Sequence, residues 1–207
     1  MTRAIFALAP DRKARLLPLR PPMRAHGKKN ENLAGSLLLA HPKLQDPNFT
    51  RTVILMSLHN AEGAMGVVLN RPLAKTLADL GPEFRQSELS DVPIYSGGPV
   101  KPEQLILVAW QTSSVDGTFK LYFGVDPDKL RELMEVTELE VRAFLGYSGW
   151  TGGQLEMEMK RNTWLVSAVP PELLDEHDGV ELWKRIVGGL SAEWRVIAEE
   201  PEDPSVN

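Results

Sequence analysis

Residues 53–72 read VILMSLHNAEGAMGVVLNRP, in which two apolar runs flank a short polar stretch. The runs 53–58 and 66–70 are rich in apolar residues of the kind that favours buried strands. The stretch between them begins with the five residues 59–63, which include the Asn and Gly that are typical of a turn between paired strands. The pattern therefore predicts an antiparallel hairpin, and Pro72 is expected to end the pairing because proline has no amide hydrogen.

The same kind of pattern continues along the chain. Further runs of strand character lie at 37–40, 105–110, 120–124, 141–145 and 163–169. Helical signals predict a single turn over 76–80, a helix that begins at Asp126-Pro127, and helices over 152–161 and 180–190. With about seven strands, three or four helices and no regular alternation of the two, the sequence predicts an α+β fold.

The composition is that of one globular domain. The chain has 207 residues, of which 43% are hydrophobic and 25% charged, which is ordinary for globular proteins. No apolar run reaches the roughly 20 residues of a membrane-spanning helix, so we expect no insertion into a membrane. Cysteine is absent. This excludes disulfides, thiolate metal sites and a cysteine nucleophile.

Charge is unevenly distributed along the chain. Residues 1–30 carry eight Lys or Arg against one Asp, a net charge of +7, which leaves −12 for the remainder. We expect a basic, proline-rich and loosely ordered extension over 1–30, one folded domain over 31–198 and an acidic tail over 199–207. Contact with nucleic acid or lipid, and targeting, are alternatives for the extension. The acidic domain disfavours direct nucleic-acid binding, because such binding rests on phosphate neutralisation.

Known catalytic and metal-binding patterns are not matched. Ser96 and Ser148 each lack one of the two glycines that a serine nucleophile elbow requires. The four histidines include no pair at metal-ligand spacing, and the cluster DEHD at 175–178 is more typical of a loop that caps a helix. There is no glycine-rich phosphate loop. We therefore expect no catalytic residue, metal or cofactor, and glycines that serve backbone geometry.

Five polar side chains form the candidate ligand site. His59 follows the first run of the hairpin, Asn70 and Arg71 follow the second, and Gln154 and Glu156 lie at the start of a predicted helix. His59 and Asn70 are expected to lie apart, whereas Arg71 is expected to pair with Glu156 or with an anionic ligand. Two alternatives stay open: a structural polar network, and a ligand cleft near Asn70, Arg71, Gln154 and Glu156.

Four sequence blocks between residues 35 and 165 form a specific pattern together. They are GSLLLAHP at 35–42 with DPNF at 46–49, His59 with EGAMGVVLNRP at 62–72, GGPV at 97–100, and GYSGW at 146–150 with QLE at 154–156 and WL at 164–165. In order and spacing these blocks resemble the YqgE/AlgH family of bacterial proteins. Family members commonly carry a histidine shortly after the GGPV block, where this chain has LVAW at 107–110.

The resemblance implies a fold and a class of function. The implied fold is a single α+β domain in which a mostly antiparallel sheet forms a pseudo-barrel flanked by helices. The implied protein is cytoplasmic, has no agreed catalytic residues, and belongs to a group often labelled as transcriptional regulators. We therefore expect a non-enzymatic regulatory or interaction protein with an unidentified protein partner. The alternative is a small-molecule-binding protein or an enzyme that uses the polar cleft. The sequence indicates no oligomeric state.

Overall fold

Nine strands and five helices make up the regular structure of residues 32–112, 119–170 and 179–199, which the computed structural model describes. The strands are β1 (Leu37–Ala40), β2 (Val53–Asn60), β3 (Gly63–Val68), β4 (Pro72–Thr76), β5 (Pro93–Ser96), β6 (Val100–Thr112), β7 (Phe119–Phe123), β8 (Glu140–Thr151) and β9 (Trp164–Ser167). The helices are α1 (Pro82–Arg85), α2 (Pro127–Val136), α3 (Gln154–Lys160), α4 (Gly179–Leu190) and α5 (Ala192–Glu199), and a 3₁₀ turn covers Leu77–Asp79. The predicted extension 1–30, the cluster 175–178 and the tail beyond Glu199 lie outside the described residues.

The predicted hairpin is confirmed as β2 and β3. The two strands run antiparallel, with Asn60 opposite Gly63 at the closed end. The connection is shorter than the expected five residues because Asn60 closes the turn with its own side chain. Its Oδ1 accepts hydrogen bonds from the amides of Glu62 at 2.9 Å and Gly63 at 3.2 Å. Asparagine commonly closes turns in this way.

Strands β1 to β3 are covered on both faces, which is why their sequences are continuous apolar runs. Leu37 and Leu39 pack in one cluster with Trp183 of α4. Leu38, between them in sequence, packs in another cluster with Trp164 of β9. Successive side chains of a strand point to opposite faces, so burial of both faces removes the polar–apolar alternation. Each of these leucines is fully buried and contributes about 2 kcal/mol of transfer free energy.

The long strand β8 joins the two parts of the sheet. Its first part pairs antiparallel with β6 and parallel with β5, and its last residues pair antiparallel with β3. The strand order is β4-β5-β8-β3-β2-β1-β9, with β7 attached through β6. All described pairings except β5 with β8 are antiparallel. The sheet curls into a half-barrel flanked by helices, so the predicted α+β fold is confirmed.

Glycines allow the segment after β5 to cross β8 with the two backbones in contact. A Cβ on Gly97 would lie 2.3 Å from the carbonyl oxygen of Gly146, and a Cβ on Gly98 would lie 2.3 Å from the carbonyl carbon of Tyr147. Gly146 itself has a φ of 73°, a conformation that favours glycine. The expectation that these glycines serve backbone geometry is confirmed. The GYSGW block lies inside β8, however, and not in a turn.

Hydrogen bonds fix the same crossing. The amide of Gly97 donates to the carbonyl of Leu145 in β8 at 2.8 Å, and the carbonyl of Gly97 accepts from the amide of Val68 in β3 at 2.9 Å. The fully buried Ser148 directs its hydroxyl toward the same carbonyl at 3.4 Å. The GGPV and GYSGW blocks therefore supply the two backbone segments that meet at this crossing.

The expectation that Pro72 ends strand pairing is wrong. Pro72 is the first residue of β4 and lies opposite Tyr95 of β5. Strand β4 is the outermost strand of the sheet and is exposed along most of its length. An edge strand tolerates a residue without an amide hydrogen because it has no partner on its open side. The pairing is irregular before Thr76, and Ala74 has a φ of 51°.

The helix predictions are confirmed, and two further helices, α1 and α5, were not predicted. Helix α2 begins at Pro127, and the carboxylate of Asp126 accepts a hydrogen bond from the amide of Asp128 at 2.9 Å. Helices α3 and α4 occupy the predicted segments. Helix α5 is one of these two, and its Trp194 packs edge-on against the ring of His41 at a centroid distance of 5.3 Å.

Replacement of Gly97 by Ala is expected to destabilise the chain strongly. The new Cβ would overlap backbone atoms of β8, which cannot move without breaking the sheet. We expect the free energy of unfolding, measured by urea denaturation of the full chain, to fall by about 3 kcal/mol.

Gly189→Ala is the matched control for this substitution. Gly189 lies in α4, and an added Cβ there would have no atom within 4 Å. Since alanine is the better helix former, this variant is expected to gain about 0.5 kcal/mol. Equal stability of the two variants would show that the crossing does not constrain the fold.

Candidate functional site

The structure separates the five candidate residues into two groups. Gln154, Glu156 and His59 lie near the closed end of the β2–β3 hairpin, and Asn70 and Arg71 lie beyond its open end. The length of β2 between them corresponds to about 20 Å at roughly 3.3 Å per residue. The prediction that His59 and Asn70 lie apart is confirmed. The four residues of the predicted cleft do not line one common cavity.

His59 is bound at both ring nitrogens. Its Nδ1 accepts a hydrogen bond from the amide of Leu33 at 3.1 Å, and its Nε2 lies 3.0 Å from Oε1 of Glu156. Because Nδ1 is the acceptor, the proton of the neutral ring lies on Nε2 and is donated to the carboxylate. Glu156 therefore pairs with His59, and the alternative in which it pairs with Arg71 is not realised.

The environment of Glu156 lowers the pKa of its carboxyl group. The largest cause is a hydrogen bond from its own backbone amide, which partial burial opposes. The hydrogen bond and charge of His59 and the charge of Lys160 lower the pKa further. The side chain of Glu156 is 45% exposed, so solvent screens the pair and its contribution to stability is small.

Gln154 takes part in a separate cluster around Glu158. Its Nε2 donates to Glu158 Oε1 at 3.0 Å, and its Oε1 accepts from the amide of Thr151 at 3.1 Å. The other oxygen of Glu158 accepts the indole N–H groups of Trp150 at 2.9 Å and Trp164 at 2.7 Å. Sequence analysis did not single out Glu158. The available signal was its spacing of four residues from Gln154 on a helix flanked by two tryptophans.

Asn70 is a buried connector. Asn70 is only 4% exposed to solvent. Its Oδ1 accepts from the amide of Val53, and its Nδ2 donates to the carbonyls of Arg51 and Gly179, each at 2.9 Å. The amide thus ties the start of β2, the preceding loop and the start of α4 to one point. Buried amides normally find such partners.

Arg71 is held by neutral acceptors. Its Nη2 donates to the backbone carbonyls of Pro47 at 3.3 Å and Thr50 at 3.1 Å. In the described part of the chain, no carboxylate lies within ion-pair distance of Arg71. The guanidinium is always charged, so these contacts position its positive charge, and no described carboxylate neutralises it.

Asn70 and Arg71 lie in an open groove with a volume of about 620 Å³. Its lining comes from the loop before β2, the segment after β3 and the start of α4, and includes Gln45, Pro47, Thr50, Arg51, Asn70, Arg71, Pro72, Gly179 and Val180. Arg51 has a φ of 52°, and its guanidinium lies 5.5 Å from the ring centre of Trp183. Non-glycine residues rarely adopt this conformation, and those that do are frequently found near functional sites. The described lining contains two arginines and no carboxylate.

Arg142 of β8 is a buried cation that sequence analysis also missed. The residue is 9% exposed, and its Nη1 donates to the carbonyl of Leu69 at 3.3 Å. Its guanidinium lies 4.8 Å from the ring centre of Tyr95 and 5.2 Å from that of Trp110. Trp110 ends the stretch LVAW. The available signal was a charged residue inside the apolar run of β8, which calls for compensating partners.

Within 32–112, 119–170 and 179–199, no three His, Asp or Glu side chains group closely enough to hold a metal ion. No helix in these ranges is both long and apolar enough to cross a membrane. A second, smaller cleft of about 260 Å³ is lined in part by Glu83, Asp126, Asp128 and Arg131 and has mixed charge.

Comparison with known proteins assigns this architecture to a family. A family model described as AlgH-like matches residues 37–195, which is more than half of the chain. The chain belongs to the AlgH-like family. The resemblance inferred from the four sequence blocks is thereby confirmed. The AlgH-like chain is 36% identical over 180 residues to a UPF0301 protein of Chlorobium limicola, covering 84% of this chain and 95% of the relative.

Two solved structures share the fold of this AlgH-like chain. The solution structure of the AlgH protein from Pseudomonas aeruginosa aligns with a TM-score of 0.61 at 28% identity, over 86% of this chain and all of that chain. A crystal structure of a Corynebacterium diphtheriae protein aligns with a TM-score of 0.64 at 22% identity, over 84% of this chain and 95% of that chain. The second similarity concerns the fold alone.

Asn70→Ala is expected to lower the free energy of unfolding by about 3 kcal/mol. The substitution leaves a buried amide and two carbonyls without their partner. Asn48→Ala is the matched control, because Asn48 is exposed and its one hydrogen bond to the described residues is made by its backbone amide. The control is expected to change stability by less than about 0.5 kcal/mol in the same urea denaturation. Similar losses in both variants would contradict the connecting role of Asn70.

His59→Ala is expected to raise the pKa of Glu156 toward its ordinary value. The bond from the backbone amide remains, so the rise is partial, and Lys160→Ala is expected to give a smaller one. A carboxyl group with a lowered pKa stabilises the fold above its ordinary pKa, and this contribution is lost as pH falls through the lowered value. NMR titration of the Glu156 side chain measures the shift. An unchanged pKa in His59→Ala would rule out the pair in solution.

Proposed function

We propose that this AlgH-like chain is a cytoplasmic, non-enzymatic regulatory protein that acts by binding a protein partner. The proposal rests on one observation. Polar side chains of the sequence blocks are hydrogen-bonded to other parts of the fold and so have structural roles. His59 is bound at both ring nitrogens, the Ser148 hydroxyl is buried against a carbonyl, and Asn70 has three backbone partners. Groups that general-base or nucleophilic catalysis requires are hydrogen-bonded as structural elements instead.

The charge distribution supports a protein partner rather than nucleic acid for the folded domain. Beyond residue 30 the chain carries a net charge of −12. Such a surface repels phosphate backbones, whereas complementary charge speeds and orients protein association. We propose the division into an extension at 1–30, a domain at 31–198 and a tail at 199–207. The family match over 37–195 supports the position of the domain.

Affinity capture with the full chain tests this proposal. We expect one protein to co-purify from lysate of the source bacterium in a stoichiometric amount at about 150 mM salt, where exposed charges farther apart than the screening length interact weakly. A full-length variant with the eight Lys and Arg of residues 1–30 replaced by Gln serves as the control. The partner is expected to remain bound to this variant. Capture of nucleic acid alone, lost in the control, would overturn the proposal and place binding in the basic extension.

A second candidate function is the binding of a small molecule. The observation that favours it is the open groove of about 620 Å³ that contains Asn70 and Arg71. In this proposal His59, Gln154 and Glu156 belong to the structural network at the other end of the hairpin. The ligand site is then smaller than the five-residue set proposed from the sequence.

A further inference from the structure

We propose that the groove at Asn70 and Arg71 binds a small molecule that carries a phosphate group. This inference goes beyond the interaction role and deepens the second candidate function, on which it rests. It rests on three properties of the groove: its positive charge, the preordering of its lining by hydrogen bonds, and its volume.

Arg71 gives the groove a positive charge that is fixed in position. Its Nη2 is bound to the carbonyls of Pro47 and Thr50, which orient the guanidinium but leave its positive charge in place. The acid expected as its partner, Glu156, is bound to His59 instead. A fixed guanidinium that no carboxylate of the described residues neutralises, next to open space, is a typical recognition element for oxyanions.

The lining of the groove is also preordered by contacts within the protein. The buried amide of Asn70 binds the carbonyls of Arg51 and Gly179, so two segments of the lining are held to the same side chain. Arg51 is held in a left-handed backbone conformation and lies over the ring of Trp183. Preformed sites lose less entropy on binding because their side chains are already ordered.

The donors point to phosphate rather than to a carboxylate. With Nη2 occupied, Arg71 retains its Nη1 and Nε hydrogens, which lie on separate edges of the guanidinium and favour single contacts over a two-pronged one. A further polar side chain comes from another segment, at Gln45. The hydroxyl of Thr50 is already bound to the carbonyls of Leu44 and Asp46. A phosphate presents three oxygens in a tetrahedral arrangement and suits donors from several directions. The volume of about 620 Å³ leaves room for an organic group attached to the phosphate.

An NMR titration of the full chain with inorganic pyrophosphate, at ionic strength held constant with sodium chloride, tests the proposal. We expect saturable amide shifts at Arg71, Val180 and their neighbours. Shifts confined to residues 1–30, or none that saturate at the groove, would overturn it. Tricarballylate is titrated in parallel, and stronger binding of this carboxylate than of pyrophosphate would overturn the assignment to phosphate.

Variants connect the shifts to the groove. Arg71→Gln is expected to weaken pyrophosphate binding at least about tenfold, since it removes the fixed charge. Arg131→Gln removes the same charge from a half-exposed position on α2 and is expected to leave binding unchanged. Gln45→Glu places a negative charge at the exposed margin of the groove and is expected to weaken binding about threefold without loss of packing. Equal affinity of all three variants would refute the site.

The two proposals fail separately. If pyrophosphate does not bind at the groove while capture of a protein partner persists, the anion site is overturned and the interaction role stands. If pyrophosphate binds with the expected dependence on Arg71 and no partner is captured, the anion site is supported without the interaction role.

Discussion

The contact between the backbones of Gly97–Gly98 and Gly146–Tyr147 is the constraint on which the half-barrel depends. Strand β8 pairs with β6 and β5 through one part and with β3 through another, so the sheet must bend where these partners change. Any side chain at Gly97 would separate the crossing segments. Close backbone approach here lets the sheet curl around Trp183 of α4, which lies in the main core cluster.

Buried and half-buried polar side chains stabilise the half-barrel at the two ends of the β2–β3 hairpin. At one end Glu158 accepts two indole N–H groups, and at the other Asn70 joins two loops to the start of a helix. Polar groups enclosed in a protein must find partners or destabilise the fold, so residues that look reactive in the sequence can be structural. Arg71 differs from them because its partners are neutral and its charge faces a groove.

Elements that depend on interactions between residues close in sequence could be predicted, whereas those that depend on distant residues could not. The β2–β3 hairpin and helix α2 depend on local signals, at Asn60 and Pro127, and both were predicted. Strand β4 exists through pairing with β5, and its residues alone carry no strand pattern, so it was missed. Within the candidate site, the separation of His59 and Asn70 followed from hairpin geometry. The pairing of His59 with Glu156 joins residues 97 positions apart, and nothing local indicates it.

The irregular edge strand β4 has a consequence for behaviour at high concentration. A strand from a second molecule that approached this edge would meet the missing donor of Pro72, the left-handed residue Ala74 and the exposed ammonium group of Lys75. Each of these interrupts the regular ladder that intermolecular β-stacking requires. This margin of the sheet is therefore protected against fibril growth, although it is open to solvent.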